Sequence, residues 1–354
     1  MNIGKAIYKI LSDNIAVSSL VGTRIAPNVM KQTSLFPFIV YDVSSDQPEG
    51  QKDSVALLDK ASIMISAYCK TYAEASKLAN YIRTALDRVN GLYVGVNIQA
   101  IDFDGYDDIF DDMSGSDGIY RKSLNFNNIY STDFDGVDDF VDIDSSGSVI
   151  NTSTGAFSLW AKLGTMASSG YFLNYRVDAN NQIQLLYHAS SNEVRMNYKA
   201  GGTETSAVIT DAIENDGLWH HIAGTWNSSG NVKIYLNSTL KDTTAISGTF
   251  TGTPAFCSIG SSGVSSSFFK GNIDEVSLFN SELTASVITT IYNDGLPYTV
   301  ASNTNLIGWW RMGDGGIVGD PIAIFPTIKD DSSNSNNGTM TNMTSTDFEA
   351  DVPE

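Results

Sequence analysis

The sequence predicts two folded parts, a small α+β domain followed by an all-β sandwich of the jelly-roll type. Three observations carry this. Over residues 1–130 two stretches have apolar residues at helical spacing, and runs of strand texture lie between and after them. From about Thr132 the texture changes, and clusters of Gly, Ser, Asn and Thr punctuate short β-rich runs. The charge divides at the same place. Up to Ser131 there are 12 Lys+Arg against 15 Asp+Glu, and beyond it 9 against 25, so −3 and −16 make up the total of −19.

A chain of 354 residues, 42% hydrophobic and 10% aromatic, can bury two cores. No apolar run approaches the roughly 20 residues of a membrane span. The opening MNIGKAIYKILSDN interleaves lysines with apolar residues, so it reads as the first helix of a cytosolically made protein and not as a secretory signal. Cys69 and Cys257 fall in different predicted domains, which argues for two small buried hydrophobes over a disulfide. The acidity of the second part disfavours nucleic acid and anionic lipid as its partners.

In the first part, Ile3, Ile7, Ile10 and Leu11 mark one face of a helix over 2–12, and a loop with Gly22 and Pro27 follows. FPFIVYDVSS and ASIMISAYC read as strands, joined by SDQPEGQKDSVALLDK, which is long for a hairpin connection. Thr71 and Glu74 then have capping-box spacing. Ala75, Leu78, Ala79, Ile82, Leu86 and Val89 form an apolar stripe, with Gly91 as the expected stop. GVNIQAIDF and GIYRKSLNFNNIY are the last two strands, separated by an acidic DGYDDIFDDMSGSD expected to pair poorly along its length. The order is α-β-β-α-β-β, an antiparallel sheet with one face under two helices.

This order, with FPFIVYDV, AYCKTYAEASKLANYIRTAL and GIYRKSLNFNNIY, resembles the tail-completion (tail-terminator) proteins of long-tailed bacteriophages over residues 1–130. The resemblance implies a ring, commonly a homohexamer, that caps the tail tube protein and meets the head-neck connector protein. Nothing in this part reads as chemistry, since it holds no histidine and no glycine-rich phosphate loop. The seven aspartates from Asp102 to Asp117 lack the spacing of a calcium loop and read as a solvated acidic segment.

In the second part FVDI, AFSLWAKL, YFLNYRV, QIQLLYHA, EVRMNYKA, LWHHIAGTW, NVKIYLN and NIDEVSLF are candidate strands. In LWHHIAGTW, Trp219 and His221 alternate to one side and His220 to the other, and a Ser-Gly turn would pair this strand with NVKIYLN. TASVITTIYNDG reads as a short helix covering one end of the sandwich.

FDGVDDFVDI, DGLWHHIAGTWNSSGNVKIYLNSTLKDT, SIGSSG, FKGNIDEVSLFNSELTASVITTIYNDG and LIGWWRM are similar to laminin-G-like, concanavalin-A-like domains over 132–345. LIGWWRM, with Trp309 and Trp310, departs from that pattern because such segments often open these domains. Either the chain closes its sheet in permuted order or this strand is a terminal edge.

His220 and His221 have no serine elbow or paired acid at a defined spacing, so both read as packed strand residues. Asp274 and Glu275 suggest the carboxylate pair of a glycoside hydrolase. Related enzymes carry acid-x-acid on one strand, whereas adjacent residues of a regular strand point to opposite faces. No catalytic residue, cofactor-binding residue or metal ligand is therefore assigned. Calcium is the one ion the resemblance allows, with Asp314 and Asp320 as its candidates.

The two resemblances together imply a structural bacteriophage virion protein, not an enzyme. Residues 1–130 would assemble at the head-proximal end of the tail, and residues 132–354 would form an outward decoration facing glycans or neighbouring virion proteins. Two rivals stand beside it, a glycan-binding adhesin away from the neck and a glycoside hydrolase on the same sandwich. NNIYSTDFDG, where the texture changes, is the expected boundary between two independently folding halves.

Overall fold

The computed structural model describes the chain except for residues 1–2, 32–33, 49–58, 88, 90, 99–100, 112–117, 128–129, 212, 263–266, 314–324, 350 and 354. Its described residues form two compact units, one up to Ile129 and one from Tyr130.

The first unit opens with α1 (Ile3–Asp13) and α2 (Ile15–Val21). Then come β1 (Ile25–Pro27), β2 (Phe38–Pro48), β3 (Asp59–Cys69) and α3 (Tyr72–Leu86). The short hairpin β4 (Gly91–Tyr93) and β5 (Val96–Ile98) precedes β6 (Asp102–Asp111) and β7 (Ile119–Asn127). The sheet runs β1-β2-β3-β7-β6, with β1 parallel to β2 and every other pair antiparallel.

Alternation sorts this sheet into two faces. Ile39, Tyr41, Ile63, Ile65, Ala67, Leu124 and Phe126 point to one side, where Ile7, Leu11, Val17, Val21, Leu78 and Ile82 of the helices cover them. Thr71 caps α3 as its spacing predicts, its side chain accepting the Glu74 N–H. The helix stops sooner than expected. Asp87 turns to extended backbone and accepts the Phe103 N–H, Val89 packs beyond the helix end, and Gly91 starts β4.

Other elements also differ from the sequence reading, among them β1, a parallel edge strand where a loop was expected. Asn14 caps a second helix, α2, where a loop was expected, its side chain accepting the Val17 N–H. GVNIQAIDF is divided: Val96–Ile98 is the strand β5, paired with β4 outside the main sheet, while Asp102 and Phe103 open β6. That edge strand, β6, continues through DGYDDIFD, the first part of the segment expected to be too acidic to pair tightly along its whole length. Its charges are tolerated because Asp108 is ion-paired with the buried Lys122 and Asp107 reaches solvent at a free edge.

The second unit begins with β8 (Ser131–Asp135), β9 (Phe140–Asp142), β10 (Thr154–Leu163), β11 (Gly170–Arg176) and β12 (Gln182–His188). It continues with β13 (Glu193–Ala200), β14 (Thr203–Ile209), β15 (His220–Asn227), β16 (Asn231–Leu236), β17 (Thr239–Ala245) and β18 (Phe256–Ile259). After β19 (Lys270–Phe279) and α4 (Ala285–Tyr292) come β20 (Leu306–Trp310), β21 (Thr327–Ile328), β22 (Gly338–Thr341) and β23 (Phe348–Glu349).

Two sheets pack face to face, a concanavalin A-like jelly roll. One runs β17-β16-β15-β10-β19-β8-β23, with β20 also on β19; the other runs β14-β13-β12-β11-β18-β9-β22-β21. Between them lie Phe157, Tyr175, Tyr198, Trp226, Phe269 and Trp310 among other buried apolar residues. The α4 helix does not sit at one end. Its Ile288 and Ile291 join Ala156, Ala223, Tyr235, Phe279 and Trp309 in a cluster separate from the main core, on the outer face of the first sheet.

The late tryptophans settle the departure noted in the sequence. On one side of β19, β8 pairs with Lys270–Ile273 while β20 pairs with Val276–Phe279. Strand β22 pairs with β9, and β23 pairs with β8. The chain therefore closes the sandwich by returning its last strands to its first ones.

This closure predicts that a fragment of residues 130–289 will not melt cooperatively, whereas 130–354 will. The shorter fragment lacks the buried Trp310, Met312, Ile328, Met340 and Phe348. Trp310→Ala in the full chain should lower stability by about 3–5 kcal/mol, read by denaturant titration.

Candidate functional site

The sandwich has two outer faces of different chemistry. That of the first sheet is apolar and covered by α4. That of the second sheet is polar. In β11, β12, β13 and β18 the inward residues Tyr175, Ile183, Leu185, Met196, Tyr198 and Ile259 belong to the core. Their neighbours in sequence therefore face outward.

Strand register aligns Ser258, Asn174, Gln184, Asn197 and Ser206 in one row across five strands. On one side of this row stand Phe256, Arg176, Gln182, Lys199 and Glu204, and on the other Tyr171, Leu186, Arg195 and Val208. The longer flanking side chains recess the amide row: Asn174 is 0% exposed and Gln184 and Asn197 6% each.

Within the row Gln184 Nε2 donates to Asn174 Oδ1 at 2.8 Å, and Asn174 Nδ2 donates to the Ser262 carbonyl at 3.1 Å. The chain of amides stops at Asn197, whose buried Oδ1 has no hydrogen-bond partner among the described residues. A buried polar atom left without a partner loses its hydration for nothing, so a ligand hydroxyl or N–H reaching it would restore a bond. Burial, then Glu204, raises the Tyr171 phenol above its ordinary range, with Arg176 opposing, so an aromatic hydroxyl stands in the field of both charged side chains. Neutral amides, a phenol and flanking guanidinium groups can read an array of hydroxyls, and none is placed as a nucleophile or base. The sequence reading listed these strands but not the row; the polar positions at period two in FLNYR, QIQLL and VRMNYK were its signal.

The residues weighed for catalysis are engaged elsewhere. His221 Nε2 lies 2.8 Å from Ser158 Oγ, which resembles a nucleophile and its base. Both are buried, and His221 sits against Trp160 and against Tyr292, the last residue of α4. Burial pushes its pKa down to about 3, so the ring is neutral, and its Nδ1 has no partner among the described residues. His220, on the other side of the strand, bonds Asp216 at 2.8 Å.

Asp274 and Glu275 do not point to opposite faces as the sequence reading expected. The register of β10 against β19 jumps between Ser158/Ser277 and Trp160/Asp274, and Glu275 has φ +50°. Ile273 and Val276 both enter the core, so this bulge turns both acids to the outer face. Glu275 accepts a bond from Trp309 Nε1 at 2.6 Å and pairs with Arg311 at 3.3 Å, while Asp274 accepts the Glu275 N–H. They hold β20 to the bulge. A cavity of about 420 Å³ at the loop end is likewise structural in its one acid, since Glu214 accepts the Met166 N–H and the Tyr187 hydroxyl.

Asp314 and Asp320 lie outside the described residues. The carboxylates of Asp135, Asp138 and Asp139 lie within 4.8 Å of one another. Asp139 accepts the Asp135 N–H, and Asp135 accepts those of Val137 and Asp138, which is the bonding of a tight turn. Cys69 and Cys257 are free and buried in different units, and burial pushes the Cys69 thiol up to about 12. Among the described residues no helix is long and apolar enough to cross a membrane.

Comparison with known proteins gives one family for each unit. Residues 5–131 match the family of the tail completion protein gp17, and residues 135–289 match the concanavalin A-like lectin/glucanases superfamily. No curated protein sequence matches the chain. Among solved structures, the CBM40 of the Ruminococcus gnavus IT-sialidase is 13% identical, with TM-score 0.38, covering 47% of this chain and 99% of that one. Domain 4 of a GH43 extracellular arabinanase from Geobacillus stearothermophilus, in complex with arabinotriose, is 18% identical, with TM-score 0.36, covering 55% and 88%. A heptameric SAP-like pentraxin from Limulus polyphemus is 13% identical, with TM-score 0.32, covering 47% and 76%.

The acidic turn generates a pH prediction. Burial raises Asp133 and Asp139 to about 6; the charges of Glu349 and Asp347 add to the rise at Asp133, while at Asp139 the hydrogen bond from the Asp135 N–H opposes it and the Asp135 carboxylate adds to it. A carboxyl whose folded pKa exceeds its unfolded value of about 3.9 binds protons more tightly in the native state. Its contribution is greatest below that unfolded value and is lost as pH rises through 6. Asp133→Asn should therefore raise the melting temperature at pH 7.5, and the gain should shrink to nothing by pH 4.

Proposed function

We propose that this chain, which joins a segment of the tail completion protein gp17 family to a concanavalin A-like sandwich, completes the bacteriophage tail at its head-proximal end. The family match over residues 5–131 carries the proposal. In this reading the first unit forms a ring, a homohexamer, that caps the tail tube protein and meets the head-neck connector protein. The ring assembles in the host cytoplasm and remains in the virion.

The sandwich points away from the lumen. Six copies would gather about six times its −16 charge in a confined channel, and that repulsion is only partly screened beyond the ~8 Å Debye length. Its amide row is the face offered to surface glycans or to a neighbouring virion protein. The chain acts without hydrolysis, since the two carboxylates that a glycosidase would use are committed to Trp309, Arg311 and a backbone amide.

Two measurements test this. Phage carrying only residues 1–131 should assemble joined heads and tails, and phage lacking this gene should not. A requirement for the sandwich in joining would contradict the division of labour. On a glycan array the full chain should bind weakly, with Gln184→Ala and Asn197→Ala each reducing the signal at least tenfold. Binding that survives both substitutions would move the ligand off the amide row, and release of reducing ends would overturn the non-enzymatic reading.

A further inference from the structure

The two edges of the first unit's sheet differ in a way that fits one to the other. At one edge, among the described residues, β6 pairs only with β7, which leaves the other side of a ten-residue strand open. Tyr106 and Phe110 of β6 are 59% and 54% exposed, and Tyr72 at the start of α3 is 54% exposed. Lys122 lies under the rings of Tyr72 and Tyr106, and Phe110 and Tyr72 both touch Tyr120, so these aromatics form one continuous patch. The strand DFDGYDDIFD carries five aspartates in ten residues; Asp108 is ion-paired with Lys122 and Asp111 with Arg121, while exposed Asp107 alternates to the other face of the same edge.

The opposite edge is the three-residue β1, followed by the segment that returns to the start of β2. Here Val29 and Leu35 are each 75% exposed. From Asn14 to Tyr41 there is no acidic residue, and the charges are Arg24 and Lys31. Arg24 is held by the carbonyls of Leu20 and Pro37, which leaves exposed Lys31 as the group presented outward.

We propose that the β6 edge of one copy docks on the β1 edge of the next, head to tail. An aromatic edge that carries exposed Asp107 there meets an apolar edge that carries exposed Lys31. The proposal rests on the ring reading above and names the surfaces that would build the ring. Charge selects this arrangement over a two-fold one. Two β6 edges brought together would oppose the exposed Asp107 of each copy, and two β1 edges have little strand to share, whereas β6 on β1 sets Asp107 against Lys31 around apolar contact. An interface made of two different patches propagates and closes into a ring when the rotation fits.

The test uses the full chain with two variants at exposed positions. Asp107→Lys with Phe110→Lys disables the β6 edge, and Val29→Glu with Leu35→Glu disables the β1 edge. Thermal melts establish that each variant folds; should the first fail, Asp107→Lys alone takes its place. Mass is then read by analytical ultracentrifugation or mass photometry. Wild type should form a closed oligomer and each variant alone should be a monomer. An equimolar mixture of the two variants should give a one-to-one dimer and nothing larger, because only one intact pair of faces remains. Variants that keep the wild-type mass would overturn these surfaces while leaving the ring. One variant dimerising alone would show a two-fold contact and overturn the head-to-tail assignment. A wild type that stays monomeric at high concentration would overturn the ring reading and this proposal with it.

Discussion

The sandwich depends on how a single strand edge is shared. Strand β19 gives half of one side to β8, the first strand of the unit, and the other half to β20, which lies more than 170 residues later in the chain. The two meet at the Asp274–Glu275 bulge. Glu275 holds the left-handed backbone conformation there, and it receives the Trp309 indole N–H and pairs with Arg311. A regular strand would turn Glu275 into the core, where an ionised carboxylate without such partners is costly. The bulge keeps both acids on the outer face and lets late and early strands meet. Lys162 and Trp219 further tie Asp351 to this sheet, so a residue beyond β23 is part of its structure.

From that closure follows the difference between the two outer faces. The first sheet is crossed by the segment that leads from β19 through α4 to β20, and its outer face is filled with apolar side chains along that path. The second sheet has no such covering element among the described residues and keeps an amide row instead. Buried amides in the row bond one another, which fixes their rotamers before any ligand arrives. Preorganisation of this kind reduces the side-chain ordering that binding requires. The first unit distributes its surfaces similarly. Helices cover one face of its sheet, and both edges expose apolar side chains with opposite charge beside them.

Much of this was legible in residue patterns. The α3 stripe with its Thr71 cap and the eight strand runs of the sandwich appear where alternation and helical spacing placed them. The misses have physical causes. Strand β6 was hidden by its aspartates, since composition argues against a strand but an edge strand with Asp108 paired to Lys122 accommodates them. Helix α2 has only Val17 and Val21 as buried anchors, too few to show a period. The Glu275 bulge cannot be read from a local pattern, because it arises where β8 and β20 meet on β19. The amide row is a property of register, and register joins residues that are far apart in sequence.

In the proposed function this chain sits at the head-proximal end of the tail with its sandwich on the particle surface. Immunogold labelling of intact virions with antibody against the sandwich tests that account most directly. Gold confined to the head-proximal end of the tail is the predicted result. Gold on the capsid shell, at the distal tip, or absent from the virion would contradict it.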